Sequence, residues 1–197
     1  MNMETYFAFV LFAILMTATP GMGNLTMMAI GQTTGFRSSL PFLAGAVLGA
    51  TCLDTLVSVG LGGLFLRSPQ LAIVVKCGGM AYILYLSWKI MTMQLSTHGS
   101  NKRFSFWEGL VLHPSNPKSW TMAVVGFSQV VNPEAPLLPQ VVLFVATFSI
   151  FAMTFHSLWG VAGAMLMRTV TSPPLRIGLN LVMVGGMVGA TLYAMLA

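Results

Sequence analysis

Charge is what this chain has least of. Its 197 residues hold four Asp or Glu and nine Lys or Arg, so 7% of the sequence is charged against 56% hydrophobic. Soluble domains carry about 25% charged residues, and a water-facing surface cannot be assembled from this composition. The mean hydropathy of +0.83 agrees. Cysteine is scarce too. Cys52 and Cys77 lie 25 residues apart in apolar runs with no C-x-x-C, which leaves a thiol-disulfide relay or a thiolate metal cluster without support. They read as small apolar packing residues. No G-x-S-x-G, H-E-x-x-H or P-loop occurs, so ATP-driven transport has no motor on this chain and no enzyme motif is present. The opening Met1-Asn2-Met3-Glu4-Thr5 lacks the basic region of a signal peptide, so the first apolar run is expected to remain as a membrane helix.

What the chain has is long apolar segments. At roughly 20 apolar residues per crossing, the length holds about six membrane helices and no separate soluble domain. The expected spans are 5–30, 40–65, 71–93, 108–131, 139–166 and 176–196. Gly31 to Ser39 reads as a Gly-bounded turn, with Pro41 placed for the first turn of the next helix. Arg67-Ser68-Pro69-Gln70, residues 94–107, Asn132 to Pro136 and Ser172-Pro173-Pro174 read as the other connections. The net charge of +5 describes topology rather than a nucleic-acid surface. Arg37, Lys89, Lys102, Arg103, Arg168 and Arg176 cluster after spans one, three and five, against Arg67 and Lys76 on the other side. The positive-inside rule then puts the odd-numbered loops in the cytoplasm and both termini outside. With those loops counted, no basic face remains for nucleic acid.

Two of the apolar runs contain helix breakers, Pro20-Gly21-Met22-Gly23-Asn24 in span one and His113-Pro114-Ser115-Asn116-Pro117-Lys118 in span four. A bilayer tolerates broken helices only where protein or a water-filled cavity receives the freed backbone groups. Breaks at corresponding places in two halves point to a transporter's binding site. The expected fold is therefore all-α, with six transmembrane helices as a 3+3 inverted repeat. One domain covers 1–197, its repeats spanning about 1–93 and 104–197, with helices one and four broken. Asn24 and Asn116, 92 residues apart, can each donate and accept hydrogen bonds. That suits either a zwitterionic ligand or repair of a broken backbone ladder; the carbonyls freed beside Pro20 and Pro117 could receive an ammonium, and the half-helix dipole ends a carboxylate. Gly45-x-x-x-Gly49, Gly185-x-x-x-Gly189 and Gly160 with Gly163 offer close helix contacts, read as intramolecular packing with a homodimer face as the minority option.

Asp54 is the sharpest single residue. A carboxylate near the middle of a membrane helix costs about 2.5–3.5 kcal/mol on insertion scales, so such groups face a cavity, pair or protonate. Lys118 is its natural counter-charge, or alternatively a partner for a substrate carboxylate. His113, beside the second break, and His156 can carry protons. His113 is the better candidate, and His156 reads as a hydrogen-bonded interhelical residue. Two lone histidines do not make a metal site.

Several stretches resemble LysE/RhtB-type amino-acid exporters: Thr19 to Leu25, Gly35-Phe36-Arg37-Ser38-Ser39-Leu40-Pro41, Gly45-x-x-x-Gly49, Ala81 to Lys89, Phe106-x-x-Gly109 and Asn116-Pro117-Lys118-Ser119-Trp120. The resemblance implies a bacterial inner-membrane exporter of amino acids or close derivatives, driven by the proton gradient with no bound cofactor. It carries the binding or gating role onto Pro20, Gly21, Asn24, Asn116, Pro117 and Lys118. Met22 and Gly23 depart from the Pro-Gly-Pro-Asn-Asn that the family often shows, and His113 stands where many members have Gln. Asp54 resembles the acidic residue of the basic-amino-acid branch, whereas the Tyr82 to Lys89 stretch resembles the neutral branch equally well. The expectation is proton antiport, with Asp54 and His113 exchanging the proton and an amino acid bound at the two breaks. Its rivals are an inorganic-cation transporter using Asp54 and a membrane-embedded enzyme clustering His113, Ser115 and Lys118.

Overall fold

A computed structural model describes residues 3–95 and 103–196. Nine α-helices run through the described residues: α1 Met3–Ala18, α2 Met22–Thr34, α3 Phe36–Leu56, α4 Gly62–Arg67, α5 Pro69–Leu95, α6 Phe106–Leu112, α7 Pro117–Ser128, α8 Leu137–Thr169 and α9 Pro173–Leu196. Four segments are long and apolar enough to cross a membrane: Phe36–Arg67, Pro69–Met93, Leu137–Leu166 and Pro173–Tyr193. The α1–α2 pair, bent by 46° at its break, brings the number to five when the two helices are counted as one broken span. The chain is thus a multi-pass membrane protein. The expected fourth span is two short helices, α6 and α7, separated by the second break.

Local chemistry accounts for most boundaries. Ser105 caps α6 by accepting from the Glu108 N–H, while the Glu108 carboxylate accepts from the Ser105 N–H, a reciprocal capping box. Asn116 caps α7 through its Oδ1, which accepts from the Lys118 N–H at 3.1 Å, and Pro117 opens that helix where its missing donor costs nothing. Between α2 and α3 the expected nine-residue turn contracts to one residue, Gly35, whose φ of 82° suits glycine. The helix starting at Phe36 puts Pro41 inside α3 rather than in its first turn. An irregularity that the sequence reading lacked follows Asp54. Residues Val57–Leu61 form a π-helical turn ending in a kink at Gly60, with φ 124°, a local widening that recurs at functional positions.

Apolar lipid gives helices no hydrophobic reason to associate, so they meet where small residues let backbones approach. Added Cβ atoms at Gly45 and Gly49 would collide with the Phe106 and Leu110 carbonyls, and one at Gly109 with that of Phe42, so α3 and α6 lie backbone to backbone. Gly31 and Gly163 hold α2 against α8 in the same way, facing the Gly160 and Met28 carbonyls. Gly185 and Gly189 differ from expectation, because a Cβ at either would meet nothing within 4 Å. Cys52 and Cys77 are also exposed on the bundle's outer face rather than packed inside it. One buried cluster includes Met27, Phe42, Ile83 and Met187, another Phe9, Trp120, Phe144 and Phe148. Residues 96–102, including Lys102, lie outside the described residues.

Candidate functional site

Both breaks are repaired largely by side chains. At the first, Asn24 Nδ2 donates to the Thr17 and Thr19 carbonyls at 2.7 and 2.8 Å, and Trp159 Nε1 donates to the Ala18 carbonyl at 3.2 Å. At the second, Trp120 Nε1 donates to the Pro114 carbonyl at 2.8 Å. The Thr17, Ala18, Thr19 and Pro114 carbonyls are therefore occupied by side chains, the ladder-repair alternative for Asn24. A buried carbonyl without a donor costs more than the side chain spent on it.

The breaks border one cavity of about 470 Å³. Thr19, Pro20, Gly21 and Met22 line it from the first break, Asn116 and Lys118 from the second. Phe12, Met16, Met122, Val125 and Tyr193 supply an apolar wall. Of the expected binding residues, Pro20, Gly21, Asn116 and Lys118 meet here, while Asn24 lines a smaller adjoining pocket. Pro117 is buried at the start of α7. Lys118 Nζ reaches across to donate to Thr19 Oγ1 at 3.3 Å and lies 3.4 Å from where a Gly21 Cβ would stand. No side chain caps α2, and its N-cap is Gly21, so the first-turn N–H groups and the positive end of its dipole border the same space. No acidic residue lines the cavity.

Asp54 lies apart. It is 6% exposed, and its carboxylate has no hydrogen bond or ion pair among the described residues, although Ser58 Oγ donates to its main-chain carbonyl at 2.7 Å. The expected Asp54–Lys118 pair is not formed. The ion pair among the described residues joins Lys89 to Glu108, whose carboxylate also accepts from Tyr85. Asp54 instead borders a void of about 30 Å³ with Thr17, His113, Ser119 and Ala152. A third pocket, of about 50 Å³, has Lys118, Asn24, His113 and His156 in its walls and shares Thr19, Gly21 and Met22 with the large cavity. The three spaces share wall residues in series, from the two breaks inward to Asp54.

His113 is hydrogen-bonded to Ser119 Oγ through Nδ1 at 2.9 Å, not to Ser115, and to His156 through an Nε2–Nε2 contact of 3.0 Å. The expected His113–Ser115–Lys118 cluster therefore does not assemble. His156 is hydrogen-bonded across helices as expected, and its partner is Asn24 Oδ1 at 2.7 Å. It reaches the break because Phe148, Ala152, His156 and Gly160 recur every fourth residue along one face of α8. Gly23 makes room for its ring: a Cβ there would stand 2.9 Å from His156 Cε1.

A family profile described as LysE type translocator matches residues 14–196. The chain belongs to that family. Among curated relatives of this LysE-type translocator, an uncharacterized membrane protein of Vibrio cholerae is 28% identical over 187 residues, 91% of each chain. A homoserine/homoserine lactone efflux protein of Salmonella typhimurium is 28% identical over 153 residues, 75% of this chain and 74% of its own. A cysteine/O-acetylserine efflux protein of Escherichia coli is 28% identical over 162 residues, 82% of this chain and 83% of its own. No solved structure matches the translocator significantly.

Proposed function

We propose that this translocator exports an amino acid with an uncharged side chain, or a close derivative, in exchange for an inward-moving proton across the bacterial inner membrane. One observation carries the reading: the two helix breaks and Lys118 converge on a single cavity. Its volume falls within the roughly 300–1,000 Å³ typical of small-ligand clefts. Lys118 and the uncapped start of α2 together favour an anionic group, which an amino acid supplies as its carboxylate. The apolar wall suits an uncharged side chain, and the lack of acidic lining disfavours both a lysine-like substrate and a hard metal cation. The efflux relatives are named for small substrates of this kind.

In this reading the substrate carboxylate sits at Lys118 beside Gly21 and Asn116, and Asp54 exchanges the proton. The six-span 3+3 topology, with both termini outside, supplies alternating access by rocking of one helix set against the other. Purified protein in liposomes tests the scheme. Labelled neutral amino acids should exchange in counterflow, and an imposed pH gradient should drive their accumulation. Asp54→Asn should retain exchange and lose the gradient-driven component. Full pH-driven accumulation by that variant rules out the role given to Asp54.

A further inference from the structure

The hydrogen bonds around His113 run in one direction only. Asn24 Nδ2 is committed to the Thr17 and Thr19 carbonyls, so Asn24 Oδ1 faces His156 as an acceptor and His156 Nδ1 must carry hydrogen. A neutral imidazole has one N–H, which leaves His156 Nε2 as an acceptor and makes His113 Nε2 the donor across their 3.0 Å contact. His113 Nδ1 then accepts from the Ser119 hydroxyl. The order is Ser119 to His113 to His156 to Asn24, ending on the carbonyls of the first break. The rings are nearly parallel, 19° apart with centroids 5.3 Å apart.

Ser119 and His113 also border the void that holds the Asp54 carboxylate. Its volume of about 30 Å³ exceeds the roughly 10–15 Å³ that admits one water, and Thr17, Asp54, His113 and Ser119, set among otherwise apolar walls, supply the polar partners to hold one. Titratable or charged groups facing the two rings are Asp54 from α3 and Lys118 from α7. At this site α1, the first break and α2 contribute Met16, Thr17, Thr19, Gly21, Met22, Gly23 and Asn24, none of them charged.

We propose that Ser119, His113 and His156 form a proton relay from Asp54 to the Asn24 side of the substrate chamber. The relay rests on the antiport reading above and deepens it. Protonated Asp54 gives its proton, through one water, to Ser119 Oγ as the Ser119 hydroxyl proton passes to His113 Nδ1. Asp54 becomes a carboxylate and His113 an imidazolium, so one proton has moved and Ser119 is regenerated. The His113 Nε2 proton then shifts to His156 Nε2. The positive charge now lies on His156, where its Nδ1–H bond to Asn24 Oδ1 becomes charge-assisted. That charge tightens the repair of the first break and sits in the same small pocket as Lys118. Proton occupancy is thereby felt where the substrate binds. Return of the proton reverses each step.

The test compares two fluxes in proteoliposomes for the wild type, His113→Gln and Ser119→Ala. Gln keeps hydrogen-bonding capacity at the His113 position but cannot titrate, and Ala deletes the hydroxyl while leaving both rings in place. The relay requires pH-driven accumulation to fall about a hundredfold in His113→Gln, the low end for loss of a positioned proton-transfer group, with its pH profile flattened. Counterflow, which needs no net proton movement, should fall far less. Ser119→Ala should show the same split more weakly, since a water can replace a hydroxyl. Either variant keeping wild-type pH-driven flux overturns the relay while the exporter reading stands. Equal loss of both fluxes in both variants also overturns it, placing these groups in the exchange step. A wild type that exchanges amino acids but ignores the pH gradient instead removes the antiport reading itself.

Discussion

Replacing Lys118 with Met separates binding from folding more sharply than any other substitution here. The ammonium borders the cavity with one side-chain hydrogen bond, to Thr19 at 3.3 Å, and no ion pair among the described residues. Deleting it removes one hydrogen bond to a charged group, at most about 1.5–3 kcal/mol of folding stability, and taking a charge out of a lipid-embedded bundle offsets a similar amount, about 2.5–3.5 kcal/mol on insertion scales. Loss of the bond to a substrate carboxylate has no such offset. Hydrogen bonds to charged groups contribute about 1.5–3 kcal/mol, which at 1.4 kcal/mol per tenfold raises the KM for exchange by about 10- to 100-fold. The assay is counterflow over a concentration series, run alongside thermal unfolding in detergent. A second arm compares each amino acid with its uncharged amide. Wild-type protein should prefer the acid, and Lys118→Met should lose that preference with little change in melting temperature. An unchanged KM, or equal discrimination between acid and amide in both proteins, removes Lys118 from the binding site.

Other consequences follow from single contacts. Gly23→Ala would press a methyl against the His156 ring, whose two ring nitrogens are both hydrogen-bonded, so pH-driven flux should fall while the bundle still melts cooperatively. Gly109→Ala would drive a Cβ into the Phe42 carbonyl at the α3–α6 contact, and an overpacking cost of about 1–3 kcal/mol should show as a lower unfolding temperature. Nitrogen-15 spectra of histidine-labelled protein should show His156 as the Nδ1–H tautomer and His113 as the Nε2–H tautomer. The reverse assignment would contradict the bond directions above. Glu108→Gln removes the anionic partner of Lys89 and weakens the cap of α6, and a loss of about 1–3 kcal/mol should again appear in the melting curve.

The membrane class, the positions of both helix breaks and the presence of one intramembrane carboxylate were all determined by sequence alone. The physical reason is that each is a local property. Too few charges, Pro or Gly inside an apolar run, and one Asp among Thr, Leu and Val have the same consequence in any fold that spans lipid. That Gly45 and Gly49 would give α3 a close-packing face was legible for a similar reason, but its partner α6 was not, and Gly185 and Gly189 at the same spacing meet nothing within 4 Å. Which groups meet was decided by tertiary structure. Lys118 contacts Thr19, 99 residues away, rather than Asp54. His156 reaches both His113 and Asn24 only because α8 lays one face along the first break. Gly23, a departure from the family's usual turn when read as sequence, becomes the space a ring occupies once α8 is in place. Side chains also took carbonyls at the two breaks, because a buried polar group finds its partner wherever packing brings one, and no linear spacing records that choice.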